Sequence, residues 1–331
     1  MNMQGQSEAV WQTKYAKNIK IAYGEAINED NIRILAYCQR NQGDDHKRFV
    51  FYKTGSIDAI DRENTYNATN KNYNDKKGID ITDFGQAVSI TATGTDCPLY
   101  RDKFADIFSQ VSVEGNLIKS SVSAMYKSTL KKLLTPLKEY TIDGTFVQYD
   151  EKAVGTTLTI PTTQVYGDDT KTFFENEDAL LDMLTDLEIL SEGEGMKVKV
   201  GGILGRKGMK ALKKYDKANN KDYITTSEFE SKLGKKLSIK KFDIMELIPI
   251  AGFDLTFPTT KGYIVVMLDQ AMGYDSNKKL DSESETIGFK GAKFFNTTTF
   301  DNATIVDEKG IFLFKWNGEA GDRVVHTKEV S

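Results

Sequence analysis

A fourteen-residue stretch without Val, Ile, Leu, Met or Phe, NTYNATNKNYNDKK at 64–77, lies between two segments that resemble β-strands. It contains five asparagines and three lysines. Ordering a residue costs about 1–2 kcal/mol of conformational entropy, and this stretch has no large aliphatic side chain whose burial would offset that cost. We therefore expect the stretch either to remain solvated or to be held by another chain.

The flanking segments have the pattern of paired strands. RFVFYKT (48–54) is rich in apolar and aromatic residues, and QAVSITATG (86–94) alternates apolar with small polar residues. Their connection is longer than those inside compact domains. The pattern predicts a long hairpin that projects from the body, with a hydrophilic tip at 55–85.

Length and charge limit the class of protein. A chain of 331 residues and 37.1 kDa favours two or three lobes. Its net charge of −4 gives no bulk attraction to nucleic acid or to anionic lipid. Cys38 and Cys97 are too few for a disulfide framework and are expected to be small buried residues in a reducing compartment. Without a signal peptide or an apolar span, we expect a soluble protein made in a cytoplasm.

The clearest predicted helix runs from Asn116 to Tyr140. Its apolar residues recur every three or four positions, which gives one dry and one wet face. Pro136 is expected to kink this helix or to end it one turn early. We interpret it as a core helix with solvated lysines on or near its polar side: Lys119, Lys127, Lys131 and Lys132.

Beyond Gly144, strand and helix patterns alternate. Helices are predicted at 177–190, which begins with acidic residues, and at 206–218, which is basic. This alternation indicates an α/β lobe around one central sheet. Strands are predicted at 145–150, 156–161, 196–204, 242–250 and 263–269, and two more within 293–316 flank a DEKG turn.

No constellation of residues indicates catalysis or a bound metal. The two histidines, His46 and His326, are far apart in the chain. GGILGRKG (201–208) matches neither GxxxxGK[ST] nor GxGxxG and is predicted to be a tight strand-to-helix turn. DSNKKLDSESE (275–285) lacks the glycine that an EF-hand turn requires and is predicted to be a solvated acidic loop. We therefore predict no catalytic, cofactor-binding or metal-binding residue and no cofactor.

The order of these elements resembles the HK97-fold major capsid proteins of tailed bacteriophages. Three segments also resemble a subgroup of phage capsid proteins in their local residue pattern: KDYITTSEFESKLGKKLSIKKFDIMEL (221–247), YIVVMLDQAMGYDS (263–276) and IGFKGAKFFNTTTFDNATIVDEKGIFLF (287–314). In these segments an Ala-hydrophobic-Gly step follows a strand, and a Gly-Ala pair leads into a closing strand. The resemblance in element order extends over nearly the whole chain, and the resemblance in local residue pattern extends over about its last hundred residues.

The resemblance implies an α+β, HK97-like capsid fold. The implied parts are an N-terminal arm at 1–45, an E-loop β-hairpin at 46–100, a peripheral domain with a long spine helix at 101–144, an α/β axial domain at 145–270, return strands of the peripheral domain at 271–316 and a flexible C-terminal tail at 317–331.

The implied function is self-assembly into the icosahedral shell that encloses the double-stranded DNA of a tailed phage. In the family the E-loop tip lies over the neighbouring subunit, so the implied contact residues are Tyr66, Asn70, Lys71, Tyr73 and Lys76. Some relatives crosslink subunits through a Lys and an Asn, but their partner residues have no match here, and we predict no crosslink.

The implied partners are sister copies in pentamers and hexamers, a portal, and a decoration or cement protein. Because the arm begins almost at once, a separate scaffolding protein is also expected. Packaged DNA would be contacted non-specifically, without a membrane, in a virion assembled in the host cytoplasm. Two alternatives stay open: an encapsulin-type compartment with a cargo enzyme, and an α/β enzyme that binds a phosphorylated ligand at GGILGRKG.

Overall fold

The computed structural model describes residues 22, 32–40, 47–53, 87–101, 113–150, 152–193, 199–219, 245–250, 252–258, 260–276, 281–287 and 292–318. The helices with described bounds are α1 (Val113–Thr141), α2 (Glu177–Gly193), α3 (Arg206–Asn219) and α4 (Phe253–Thr256). The strands are β1 (Cys38–Gln39), β2 (Arg48–Tyr52), β3 (Ala87–Thr91), β4 (Thr93–Arg101), β5 (Phe146–Asp150), β6 (Gly155–Leu158), β7 (Val165–Tyr166), β8 (Val200–Leu204), β9 (Glu246–Pro249), β10 (Gly262–Leu268), β11 (Met272–Ser276), β12 (Asp281–Ile287), β13 (Ala292–Ile305) and β14 (Ile311–Trp316).

The described strands form three sheets. The central sheet has the order β7-β14-β10-β8-β9, and the hairpin sheet has the antiparallel order β2-β3-β5-β6. The long-strand sheet is built on β13, which pairs with β4 along one edge and with β12 and then β11 along the other. Strand β1 extends it by pairing parallel to β11.

The central sheet is buried on both faces, which explains the unbroken apolar run GYIVVML of β10. On one face Val265 and Met267 lie in a core with the leucines of α1. On the other face Ile264 and Val266 lie in a second core beneath α2 and α3. The sheet is therefore the middle layer between α1 and the pair of helices α2 and α3.

The long helix is confirmed, but Pro136 does not end it. Helix α1 continues to Thr141, five residues past the proline. One prediction about its lysines is wrong: Lys132 is not solvated, because its ammonium group is paired with Asp301 and its side chain is only 14% exposed. No helix within the described residues is both long and apolar enough to span a membrane.

Several strands pair with different strands from those that the sequence suggests. The segments predicted at 145–150 and 156–161 form β5 and β6, which extend the hairpin sheet instead of the central one. Strand β14 pairs with β10 and so belongs to the central sheet, whereas the sequence groups it with the return strands. Residues 281–285, predicted as part of a solvated loop, lie in β12 and pair with β13. The domain boundaries themselves remain predictions.

The described part of the predicted N-terminal arm packs into its own chain. Residues 33–37 form a 3-10 turn whose Ile34 and Leu35 are fully buried. Arg33 forms an ion pair with Glu246, and the Tyr37 hydroxyl donates to the same carboxylate. This segment therefore packs on β8 and reaches the neighbouring edge strand β9 through Glu246.

Candidate subunit-contact surface

The base of the predicted hairpin is a two-faced ribbon. Strands β2 and β3 pair antiparallel, with Phe49 opposite Ile90 and Phe51 opposite Val88. These residues point to one face, where Phe49 and Phe51 pack on Val306 and are almost fully buried. The period-two pattern that predicts the strands therefore also fixes which face docks on the body.

The close contact between Phe51 of β2 and Gly273 of β11 fixes the position of this ribbon. A Cβ atom on Gly273 would lie only 2.5 Å from the ring of Phe51, so the ring packs directly on the backbone of β11. In β5, which pairs with β3, the side-chain amide of Gln148 donates to the carbonyl oxygens of Ile305 and Val306, at 2.9 and 3.0 Å. Apolar packing and these two hydrogen bonds together attach the hairpin sheet to the long-strand sheet.

An ion pair lies where β2 leads into the predicted tip. Lys53 Nζ is 2.8 Å from Glu308 Oε2 and 3.6 Å from Asp307 Oδ1. Burial alone would raise the pKa of Glu308, but the hydrogen bond from Lys53, a backbone hydrogen bond and the charges of Lys53 and Lys309 outweigh it and hold that pKa below its ordinary value. This ion pair therefore holds Lys53, the last described residue before the predicted tip, against the body.

The opposite face of the hairpin sheet carries apolar side chains in contact with solvent. Val147 and Tyr149 are two residues apart on β5, and both are more than two-fifths exposed. Tyr52, which lies on the same face of the sheet in β2, is more than half exposed. We call Tyr52, Val147 and Tyr149 the outer apolar face. It lies at the base of the hairpin.

A buried charged cluster joins α1 to β13. Lys132 Nζ forms an ion pair with Asp301 Oδ1 and donates to the Thr93 carbonyl at 2.7 Å. The Thr129 hydroxyl donates to Asp301 Oδ2 at 2.7 Å, and the Tyr274 hydroxyl donates to it at 3.3 Å. Asp301 is also the residue at which β13 pairs with both β4 and β11. This cluster therefore holds the long helix against the strand that organises the sheet.

The turn at GGILGRKG has the predicted form, and its helix end is already occupied. Strand β8 leads through Gly205 into α3, and the Arg206 amide donates to Asp254 Oδ2 at 2.9 Å. A Cβ atom on Gly205 would collide with that carboxylate. Since an acidic group caps the helix where a phosphate would bind, the geometry disfavours a phosphate site there.

The remaining sequence-based predictions concern the cysteines, a metal site, and the residues of the hairpin tip with the two histidines. Cys38 and Cys97 are free thiols and buried, as expected of small buried residues. In the described part of the chain no group of three or more His, Cys, Asp or Glu side chains is arranged to hold a metal. The predicted contact residues Tyr66, Asn70, Lys71, Tyr73 and Lys76, and both histidines, lie outside the described residues.

Sequence reasoning misses two of these features, the exposed face of β5 and the buried pair of Lys132 with Asp301. The alternation in FVQYD (146–150) could have revealed Val147 and Tyr149 as one face, with Phe146 and Gln148 on the other. The pairing of Lys132 with Asp301 spans 169 positions, and no local pattern points to it. Such a long-range pair becomes visible only when the sheet is assembled.

Comparison with solved structures identifies the fold. The capsid of Ralstonia phage GP4 is similar at a TM-score of 0.58 and 8% identity, over 85% of this chain and 87% of that one. The capsid of cyanophage Pam1 matches at 0.57 and 6%, over 86% and 89%. The capsid of cyanophage P-SCSP1u matches at 0.54 and 10%, over 86% and 87%. No protein-family model and no curated protein matches the sequence. The resemblance to phage capsid proteins is therefore confirmed at the level of the fold.

Proposed function

We propose that this chain is the structural subunit of an icosahedral capsid shell that encloses the double-stranded DNA of a tailed bacteriophage. The observation that carries the proposal is the similarity to phage capsid structures over at least 85% of this chain and of each of the three compared chains. A similarity that covers at least 85% of the chain is too extensive to come from one common supersecondary motif.

The geometry of the hairpin base supports a role in subunit contact. Phe49 and Phe51 attach one face of the ribbon to the body, and Lys53 forms an ion pair where the tip begins. A projecting element that is anchored at its base can present its far end to another subunit at a fixed position. We propose that the tip residues Tyr66, Asn70, Lys71, Tyr73 and Lys76 make that contact.

The tip is suited to many weak contacts in place of one strong one. Because the stretch 64–77 lacks large aliphatic residues, a single tip can bury little apolar surface. In a closed shell every copy donates and receives the same contact, and multivalency makes the sum strong. Contacts that are weak individually also allow misplaced subunits to dissociate before the shell closes.

The remaining partners are part of the same proposal. Pentamers and hexamers of sister copies would build the shell, with a portal, a separate scaffolding protein and a decoration protein as further partners, and without a membrane. A net charge of −4 suits a wall along which DNA moves without tight phosphate contacts. Assembly would take place in the host cytoplasm, and the product would be part of the virion.

Electron microscopy of the purified full-length chain tests the proposal. We expect closed shells, open shell fragments or ring-shaped capsomers of uniform diameter, formed alone or on co-expression with a scaffolding protein. Shells that contain a cargo protein in place of DNA and a portal would favour the encapsulin alternative. A monomer at every concentration, with or without co-expressed assembly partners, would contradict the proposal.

A tip variant tests the contact assigned to the hairpin. Replacing Tyr66, Asn70, Lys71, Tyr73 and Lys76 together with serine should reduce shell yield while the thermal unfolding of the unassembled subunit stays unchanged. The matched control carries serine at Asn64, Asn67, Asn72, Asn74 and Lys77 in the same stretch. Equal shell yield from the tip variant and the unmodified chain would contradict the assignment.

A further inference from the structure

Two helices of the same lobe carry opposite charges. Helix α2 contains six acidic residues and no basic residue, and α3 contains six basic residues and one acidic residue. An ordinary solvated helix mixes both signs along its exposed face, because unlike charges four positions apart stabilise the helix. The segregation of sign therefore calls for an explanation other than solubility.

The charges form two stripes of matching geometry. On α2, Asp178, Asp182 and Asp186 are exposed and follow one another at intervals of four residues. We call these three residues the acidic stripe. On α3 the basic stripe has the same spacing and is also exposed: Arg206, Lys210 and Lys214. Residues four apart lie on one face of a helix, so each stripe is a continuous line of like charge.

Each stripe has a cost within its own subunit. Like charges four positions apart destabilise a helix, and each stripe contains two such pairs. The side chains of Asp178, Asp182, Arg206 and Lys210 form no ion pair with any residue that the structure describes. The field of the acidic stripe also reaches its surroundings, because burial together with Asp186 and Asp182 raises the pKa of Tyr166.

The two helices cover different parts of the central sheet. Helix α2 packs against β7, which is one edge strand of the sheet. Helix α3 packs against β8, β10 and α4, toward the opposite edge strand β9. The two helices also touch, because the Tyr215 hydroxyl of α3 donates to Glu177 of α2, but the acidic stripe lies on the β7 side of α2, where the Tyr166 hydroxyl donates to Asp186. Two unlike surfaces on one subunit suit a head-to-tail contact, in which each copy offers a different surface to each neighbour.

Apolar residues border the acidic stripe. Leu181, Ile189 and Leu190 are exposed on α2, with Ile189 61% exposed. A charged stripe with apolar neighbours is the composition of a contact surface: apolar burial supplies affinity, and charge supplies direction and register.

We propose that the acidic stripe on α2 of one subunit docks on the basic stripe on α3 of the next, in a repeating head-to-tail contact between copies of this chain. The inference rests on the proposed shell function and adds which surfaces meet inside a ring of subunits. Three charges at equal spacing on each helix allow the stripes to pair in register. Like sides repel one another, so the contact also has a fixed direction.

Charge reversal on each side tests the contact. The basic-side variant is Arg206→Glu with Lys210→Glu, and the acidic-side variant is Asp178→Lys with Asp182→Lys, which keeps the hydrogen bond from Tyr166 to Asp186. Each variant alone places like charges across the contact and should lower the assembled fraction on the order of ten-fold or more. The matched control, Lys127→Glu with Lys131→Glu, makes the same charge change at the same spacing on α1 and should assemble as the unmodified chain does.

Mixing the two variants provides the decisive measurement, because misfolding cannot mimic its result. One variant has two basic sides and the other has two acidic sides, so an equimolar mixture can assemble in alternation although neither assembles alone. Strict alternation closes only rings with an even number of subunits, so the mixture should form even-numbered rings and no five-membered ones. The ring sizes can be counted by native mass spectrometry.

The outcomes separate the two proposals. If the unmodified chain does not assemble, the shell function fails and this contact fails with it. If the unmodified chain assembles and either variant alone assembles equally well, or the mixture is not rescued, the stripe contact is wrong and the shell function is unaffected.

Discussion

Replacing Lys132 with methionine should weaken the docking of α1 on β13. The substitution keeps most of the side-chain volume but removes the charge that is paired with Asp301. The Asp301 side chain is only 1% exposed, so its carboxylate would remain buried without its counter-charge. The Thr129 and Tyr274 hydroxyls would stay as its hydrogen-bond donors.

The expected loss follows from that geometry. Removing one partner of a buried ion pair typically costs about 3–5 kcal/mol. Because two hydroxyl donors remain and Lys132 is 14% exposed, we expect a value near the lower end, about 3 kcal/mol. With an unfolding entropy of about 2.1 cal/mol/K per residue, a chain of 331 residues should lose about 4 °C in melting temperature.

Scanning calorimetry of the unassembled subunit measures this loss. The control is Lys131→Met, a neighbouring exposed lysine on the same helix, which should change the stability by less than about 0.5 kcal/mol. The double variant Lys132→Met with Asp301→Asn should recover most of the loss, since no unpaired charge stays buried. A melting temperature of Lys132→Met within about 1 °C of the unmodified chain, or a double variant less stable than the single one, would refute this reasoning.

Three further predictions concern the hairpin base and the α3 cap. Gly273→Ala should displace the ring of Phe51 and cost about 1–3 kcal/mol, seen as faster proteolysis within the hairpin; an unchanged rate would contradict the close packing. The pKa of Glu308 is depressed in the folded chain, so its stabilising contribution is present above the ordinary value of 4.5 and is lost as the pH falls below it. Lys53→Met should flatten this acid dependence in pH-dependent melting curves, and identical curves would count against the ion pair. Asp254→Ala should cost about 1 kcal/mol through loss of the α3 cap, measured by denaturant titration, whereas a stability gain would show that the carboxylate does not act as a cap.

Local periodicity predicts the elements of this fold well. The three-to-four spacing of apolar residues predicts α1 within a few residues of its observed bounds, and the apolar run of β10 predicts a strand buried on both faces. The strand-to-helix turn at Gly205 is likewise evident from its glycines. These signals are carried by neighbouring residues, which is why sequence reasoning can detect them.

Partners across the sheets are not predictable in the same way. Strand β5 has the same alternating pattern whether it joins the central sheet or the hairpin sheet, and only assembly with β3 decides. Lys132 occurs among solvated lysines in the sequence, and its burial depends on Asp301. The acidic residues of β12 suggest a loop, but pairing with β13 outweighs their low strand propensity.

Sedimentation velocity of the purified full-length chain over a wide concentration range tests the central claim most directly. If the subunit is stabilised by contacts with sister copies, boundaries heavier than the 37.1 kDa subunit should appear and grow with concentration, up to the sizes of rings or shells. A single 37.1 kDa boundary at every concentration, also for the chain co-expressed with a scaffolding protein, would contradict the claim.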